Sequence, residues 1–147
     1  MYGESLGDEA PYLSGPEFQI LDDKKHKDGK NEVTSAGALC ALYKPVDKNI
    51  NAVGEWNTAR IIIDGDHAQH FLNGKKVLEA TFGSSDWKER VAASKFKNWG
   101  KFGKNKSGHI AFQDHGNRVF FRKIKIVSLP ENGPDGKPGT DDDISTE

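Results

Sequence analysis

The sequence predicts an all-β fold, an antiparallel β-sandwich with one short helix. Three observations carry this. Apolar residues alternate with polar ones over short runs, which suits strands with one face in a core. Asn73-Gly74 sits between two such runs, the strongest short hairpin signal. Only one stretch, residues 84–96, has helical spacing.

In chain order, residues 1–13 read as irregular, with residues 1–3 resembling the end of a strand. Residues 17–21 read as a strand, with Phe18 and Ile20 on one face and Glu17 and Gln19 on the other. A charged loop follows over residues 22–31, then an apolar segment, 38–43, ended by Pro45. Strands are expected at 56–64, 67–72 and 76–82. In the helix, Ser85 is the expected cap, and Trp87, Val91 and Ser94 share a face. Residues 98–106 form a Gly/Lys-rich loop, and strands at 108–112 and 119–129 close the fold. Residues 130–147, rich in Pro, Gly and Asp, read as an acidic tail or linker separate from a domain at 1–129. Its Asp/Gly spacing has a faint calcium-binding look, outweighed by a solvated linker.

The chain has 147 residues, of which 35% are hydrophobic and 29% charged, enough for one domain with a core. A formal net charge of −1 gives no electrostatic case for nucleic acid or an acidic membrane. No apolar run approaches the ~20 residues of a membrane span. No basic-then-apolar leader opens the sequence. The single cysteine, Cys40, lies in an apolar run and reads as a core residue rather than a nucleophile. Phosphate-loop, CxxC and nucleophile-elbow patterns are absent.

The densest chemistry lies in Gln113-Asp114-His115, between two strands and followed by Gly116. A turn needs glycine or asparagine but not three adjacent groups that bind or move protons. Phe112 offers an apolar wall beside them, which can shift the titration of Asp114 or His115. Glu17 and Gln19 present a polar pair suited either to a sugar or to ordinary solvent. Trp99, in its loop, is a candidate stacking platform, whereas Trp56 reads as core. Arg122, set among Phe and Ile, suits a carboxylate or a substrate oxygen. Lys95 reads as a cation complementing the helix dipole. His67 and His70 suit cross-strand structural roles as well as catalysis, His109 reads as an outward polar residue, and His26 as solvated.

Five stretches, in order, resemble the 3-keto-disaccharide hydrolase family, long regarded as a domain of unknown function. They are Ser14-Gly-Pro-Glu-Phe-Gln-Ile-Leu-Asp22, Gly54-Glu-Trp-Asn-Thr-Ala-Arg60, His70-Phe-Leu-Asn-Gly-Lys75, Trp87-Lys-Glu-Arg-Val-Ala-Ala-Ser-Lys-Phe96, and Gly108-His-Ile-Ala-Phe-Gln-Asp-His-Gly116 with the strand after it. The resemblance implies a concanavalin-like jelly roll, of which residues 1–129 are a C-terminal portion without its first strands. It implies a glycoside substrate whose C3 hydroxyl a separate sugar 3-dehydrogenase has oxidised, and a periplasmic or extracellular setting. The chemistry is then proton abstraction at C2 and elimination at C1. His115 or Asp114 is the expected base, with Glu17 as partner carboxylate. Gln19, Gln113, Arg122 and Trp99 are the expected substrate contacts. No cofactor or metal ligand set is evident, although a divalent cation, like Arg122, would suit the enolate oxygen. The alternatives are a carbohydrate-binding module without turnover and a structural domain of a larger surface protein.

Overall fold

The computed structural model describes residues 1–4, 10–114 and 116–129. Its strands are β1 (Tyr2–Glu4), β2 (Ala59–Asp64), β3 (His67–Leu72), β4 (Lys75–Thr81) and β5 (His109–Ile110), with one helix, α1 (Ser85–Ala93), between β4 and β5. Short 3-10 turns lie at Pro11–Leu13, Lys27–Lys30 and Glu32–Thr34. All strand pairing is antiparallel: β2-β3-β4 form one sheet, and β1 pairs with β5 in another. The chain divides into two compact units, Met1–Gln113 and Asp114–Glu147. No helix among the described residues is long and apolar enough to cross a membrane.

The β3–β4 turn follows the sequence closely. Asn73 and Gly74 both take positive φ, 50° and 79°, as the hairpin turn with matching twist requires. The Asn73 side chain also fixes the preceding loop. Its Oδ1 accepts from Thr58 N at 2.7 Å, and its Nδ2 donates to Asn49 O at 2.9 Å and Asn57 Oδ1 at 2.7 Å.

Register slips between His70 and Phe71, so that β4 has one extra residue there. The bulge explains why consecutive Val77 and Leu78 are both buried, which a regular strand forbids. Leu78 and Ala80 join Leu39, Leu42, Tyr43, Trp87, Phe96 and Phe102 in the larger core cluster. Val77 joins Phe18 and Leu72 in a smaller one.

Helix α1 is capped by Ser84 rather than Ser85: the Ser84 side chain accepts from Trp87 N at 3.1 Å. It ends at Ala93, short of the expected residue 96. Ser94 bonds Val91 O through its hydroxyl and accepts from Phe96 N, competing with the helical ladder. Trp87 faces the core as expected. It stacks on Phe102 (centroids 6.0 Å apart) and on Tyr43 (6.2 Å), and meets Phe82 edge-on at 4.7 Å. Tyr43 OH donates to Asp86 Oδ2 at 2.6 Å, and Arg90 bonds both Asp86 and Leu42 O. The helix is thereby tied to the 39–43 turn.

Three expected elements differ. Residues 17–21 do not form a strand. They make one bridge, Phe18 to Leu39, and backbone bonds from Gln19 and Glu17 to residues 37–40, because the opposite segment turns tightly at Ala41 (φ 61°). The face assignment fails with it: Gln19 is buried and Ile20 is 54% exposed. Trp56 is not core. It is 46% exposed, in the loop before β2 begins at Ala59. Residues 119–129 carry the alternation of a strand but are not assigned as one. The tail at 130–147 lies outside the described residues.

Gly103 has φ +64°, and a Cβ there would lie 2.6 Å from Trp87 Cζ2. Gly103→Ala is expected to lower stability by roughly 2–4 kcal/mol, from overpacking and left-handed strain together. Gly100→Ala, with nothing within 4 Å, serves as the control with little effect. Urea denaturation followed by tryptophan fluorescence measures both. Equal stability of the two variants would refute the role given to this contact.

Candidate functional site

The segment holding Glu17 is built from inside the first unit. Ser14, Gly15 and Pro16 are buried, and Ser14 O accepts from Gly103 N at 2.9 Å. Glu17 follows, half-buried, its carbonyl accepting from Cys40 N at 2.9 Å. Gln19 is buried, with its backbone bonded to Ala38 and Gly37. Neither residue therefore belongs to an ordinary solvent-facing strand surface.

The Cys40 thiol reports the charges around this segment. It is held up at about 11, chiefly by burial, with the Glu17 carboxylate also raising it, the Lys95 ammonium lowering it and Asp28 raising it. The thiol is thus protonated at neutral pH and is no nucleophile, as expected for a core cysteine. The charges of Glu17, Lys95 and Asp28 thus all act on this buried thiol. Lys95 lies beyond the end of α1, with its ammonium 5.1 Å from the Phe96 ring centre. Sequence reasoning assigned it to the helix dipole and missed this. The usable signal was its place inside the Trp87–Phe96 stretch that matched the family.

Trp99 is half-buried. It meets Phe96 edge-on at 5.0 Å and Tyr12 at 5.7 Å, so part of its ring is committed to packing. Gln113 is exposed at the end of the first unit. Asp114 and Arg122 belong to the second unit, and both are exposed. Asp114 Oδ1 accepts from Gly116 N at 2.7 Å, closing a side-chain turn over Gly116, whose φ is 87°. His115 lies outside the described residues.

The remaining histidines have structural positions. His70 is fully buried on β3, 3.1 Å from Gly37 O through Nδ1 and against the Phe18 ring at 4.6 Å. Its Nδ1 donates, since the carbonyl can only accept. His67 faces Glu79 at 3.8 Å and Thr81 at 3.4 Å across the sheet. His109 is exposed on β5. His26, expected to be only solvated, caps the Lys27–Lys30 turn: its Nδ1 accepts from Asp28 N at 3.2 Å. No cluster of three or more His, Cys, Asp or Glu that could hold a metal ion occurs among the described residues.

Residues 1–127 match the family described as the 3-keto-alpha-glucoside-1,2-lyase-like domain. A curated protein of Bacteroides thetaiotaomicron, the 3-keto-disaccharide hydrolase, is 34% identical over 133 residues, covering 80% of this chain and 45% of that protein. A crystal structure of a candidate glycosyl hydrolase from Parabacteroides distasonis superposes with a TM-score of 0.61 at 32% identity. That match covers 67% of this chain and 49% of the other. The chain thus spans about half the length of these relatives.

Burial holds the His70 imidazole down at about 4, against its ordinary 6.5, with the Gly37 bond offsetting part of the shift. Below pH 6.5 the unfolded chain takes up this proton and the folded chain does not. The stabilisation from this residue is therefore present above that pH, is lost as pH falls towards 4, and changes no further below. The loss amounts to about 3 kcal/mol. Urea denaturation between pH 7 and pH 4 should show a steeper decline for the parent than for His70→Gln. Parallel curves would contradict the buried neutral imidazole.

Proposed function

Because the chain belongs to the family of 3-keto-alpha-glucoside-1,2-lyase-like domains, we propose that it carries part of the site of a hydrolase acting on 3-keto-glycosides. The observation that carries this reading is the match of residues 1–127 to that family, beside which the charges of Glu17 and Lys95 both act on the Cys40 thiol. The two come from separate stretches that both resemble the family. The names of the two relatives, a 3-keto-disaccharide hydrolase and a candidate glycosyl hydrolase, support the same substrate class.

The reaction follows from the ketone. A carbonyl at C3 acidifies the C2–H, and a general base removes that proton to give an enolate. The enolate electrons form the C1–C2 double bond as the C1–O bond breaks, and the departing oxygen takes a proton from an acid. Water then adds across C1–C2, so that the net change is hydrolysis. Such chemistry needs a base, a cation or donor at the enolate oxygen, and an acid. Glu17 supplies a carboxylate for proton transfer, and Lys95 a positive charge for the developing oxyanion. His115 and Asp114 are the alternative bases, and Arg122 or a divalent cation the alternative enolate partner. With this reading go a setting outside the cytoplasm, the jelly-roll fold and a sugar 3-dehydrogenase acting upstream.

The test follows glucose or 3-keto-glucose release from trehalose, sucrose and their 3-keto forms. Cleavage is expected of the keto forms only, because an unoxidised C2–H is far too weak an acid for a carboxylate or imidazole. Glu17→Gln and His115→Ala, made separately, identify the base by a loss of roughly 10²–10⁴-fold. Equal cleavage of oxidised and unoxidised sugars would replace elimination with two-carboxylate glycoside hydrolysis. Binding of keto-sugars without turnover would favour the carbohydrate-binding reading.

A further inference from the structure

Residues 51–58, in the loop before β2, are all exposed, so burial does little to hold them. Asn73 holds them instead. Four hydrogen bonds join residue 73 to this loop. Asn73 N donates to Thr58 O at 2.8 Å, and Oδ1 accepts from Thr58 N at 2.7 Å. Nδ2 donates to Asn49 O at 2.9 Å and to Asn57 Oδ1 at 2.7 Å, which engages both of its hydrogens. Asn57 Oδ1 also accepts from Asn51 N at 2.9 Å, so the clasp reaches across the loop. The next residue is Gly74. It has no side chain to shield its nitrogen, and a Cβ built there meets nothing within 4 Å.

We propose that Asn73 is a deamidation site, held shut by the loop it clasps, whose aspartate product unfastens that loop while keeping the hairpin. The Gly74 amide nitrogen attacks Cγ of Asn73, forming a C–N bond and giving up its proton. The Cγ–Nδ2 bond breaks and ammonia leaves. Water then opens the resulting succinimide at either carbonyl, giving aspartate or isoaspartate at position 73. Departure of ammonia requires the two bonds made by Nδ2 to break. Bonds of ordinary strength slow the reaction roughly 10–10²-fold relative to open chain. The product changes the clasp. An aspartate at 73 still accepts from Thr58 N, but it has no hydrogen to offer Asn49 O or Asn57 Oδ1, and it sets a negative charge against both. Asp-Gly supports the same two-residue turn as Asn-Gly, so the β3–β4 hairpin survives. The loop so released carries residues 54–58 of the stretch at 54–60 that resembles the family.

The test incubates the full 147-residue chain in mildly alkaline heavy-oxygen water, folded and in urea, and maps the labelled products by peptide mass spectrometry. In urea, Asn73-Gly74 should react at a rate similar to that of Asn132-Gly133, the other Asn-Gly pair of the sequence. In the folded chain, reaction at Asn73 should be roughly 10–10² times slower than in urea. Asn57→Ala removes one acceptor of Nδ2 at an exposed position, and should speed the folded reaction roughly 3–10-fold. Asn73→Asp reproduces the main consequence directly. By amide hydrogen exchange, Asn51 should open at least about tenfold faster in this variant, while the amides of β3 and β4 keep their protection. Equal rates at Asn73 in folded and unfolded chain would overturn the proposal, as would a folded rate indifferent to Asn57→Ala. Unchanged exchange at Asn51 in Asn73→Asp, or loss of protection throughout β3 and β4, would overturn the release of the loop alone.

Discussion

The stacking of Trp87 between Tyr43 and Phe102 is the contact on which the first unit depends. One indole joins four pieces of chain: the helix, the 39–43 turn, the end of the hairpin through Phe82, and the 99–103 turn. The last piece continues the linkage. Gly103 approaches the indole closely enough that no side chain fits there, and its N–H holds the carbonyl of Ser14. Ser14 begins the buried run that ends at Glu17. The segment that leads to Glu17 is therefore tied to aromatic packing on the far side of a glycine. Loss of the indole would cost roughly 3–5 kcal/mol in a core of this kind.

Much of this arrangement was legible in the residues. Asn73-Gly74 specifies its own turn because both backbone conformations it needs are ones these residues adopt readily. Cys40 is buried because its neighbours are apolar. Trp87 and Val91 fall on one helical face by spacing alone. The antiparallel, strand-dominated architecture with a single helix follows from these elements. What alternation cannot supply is the partner strand. The run at 17–21 and the run at 119–129 show the same period, and neither forms a strand, because a ladder depends on what lies alongside. Trp56 failed for a related reason: nearness to an apolar strand does not bury a side chain in the loop before it.

The candidate site was legible only in pieces. Glu17 stood out as a carboxylate in a distinctive motif. Lys95 did not, since a lysine near a helix end has a ready explanation in the dipole. Only the folded chain lets the charges of Glu17 and Lys95 act on Cys40, across separations that no local pattern spans. His70 illustrates the converse. A histidine in a family-like stretch invites a catalytic reading. Its complete burial and its bond to Gly37 instead make it a neutral packing group whose hydrogen-bonding need is met inside the core.

The same burial has a consequence for Cys40 in redox terms. With its thiol held at about 11, only about one molecule in ten thousand carries the thiolate at pH 7, and the residue is buried. Oxidants and disulfides act on the thiolate, so the folded chain is nearly inert to both. These 147 residues offer no second cysteine with which to close a bridge. Once folded, the unit is thus nearly indifferent to the redox poise around it.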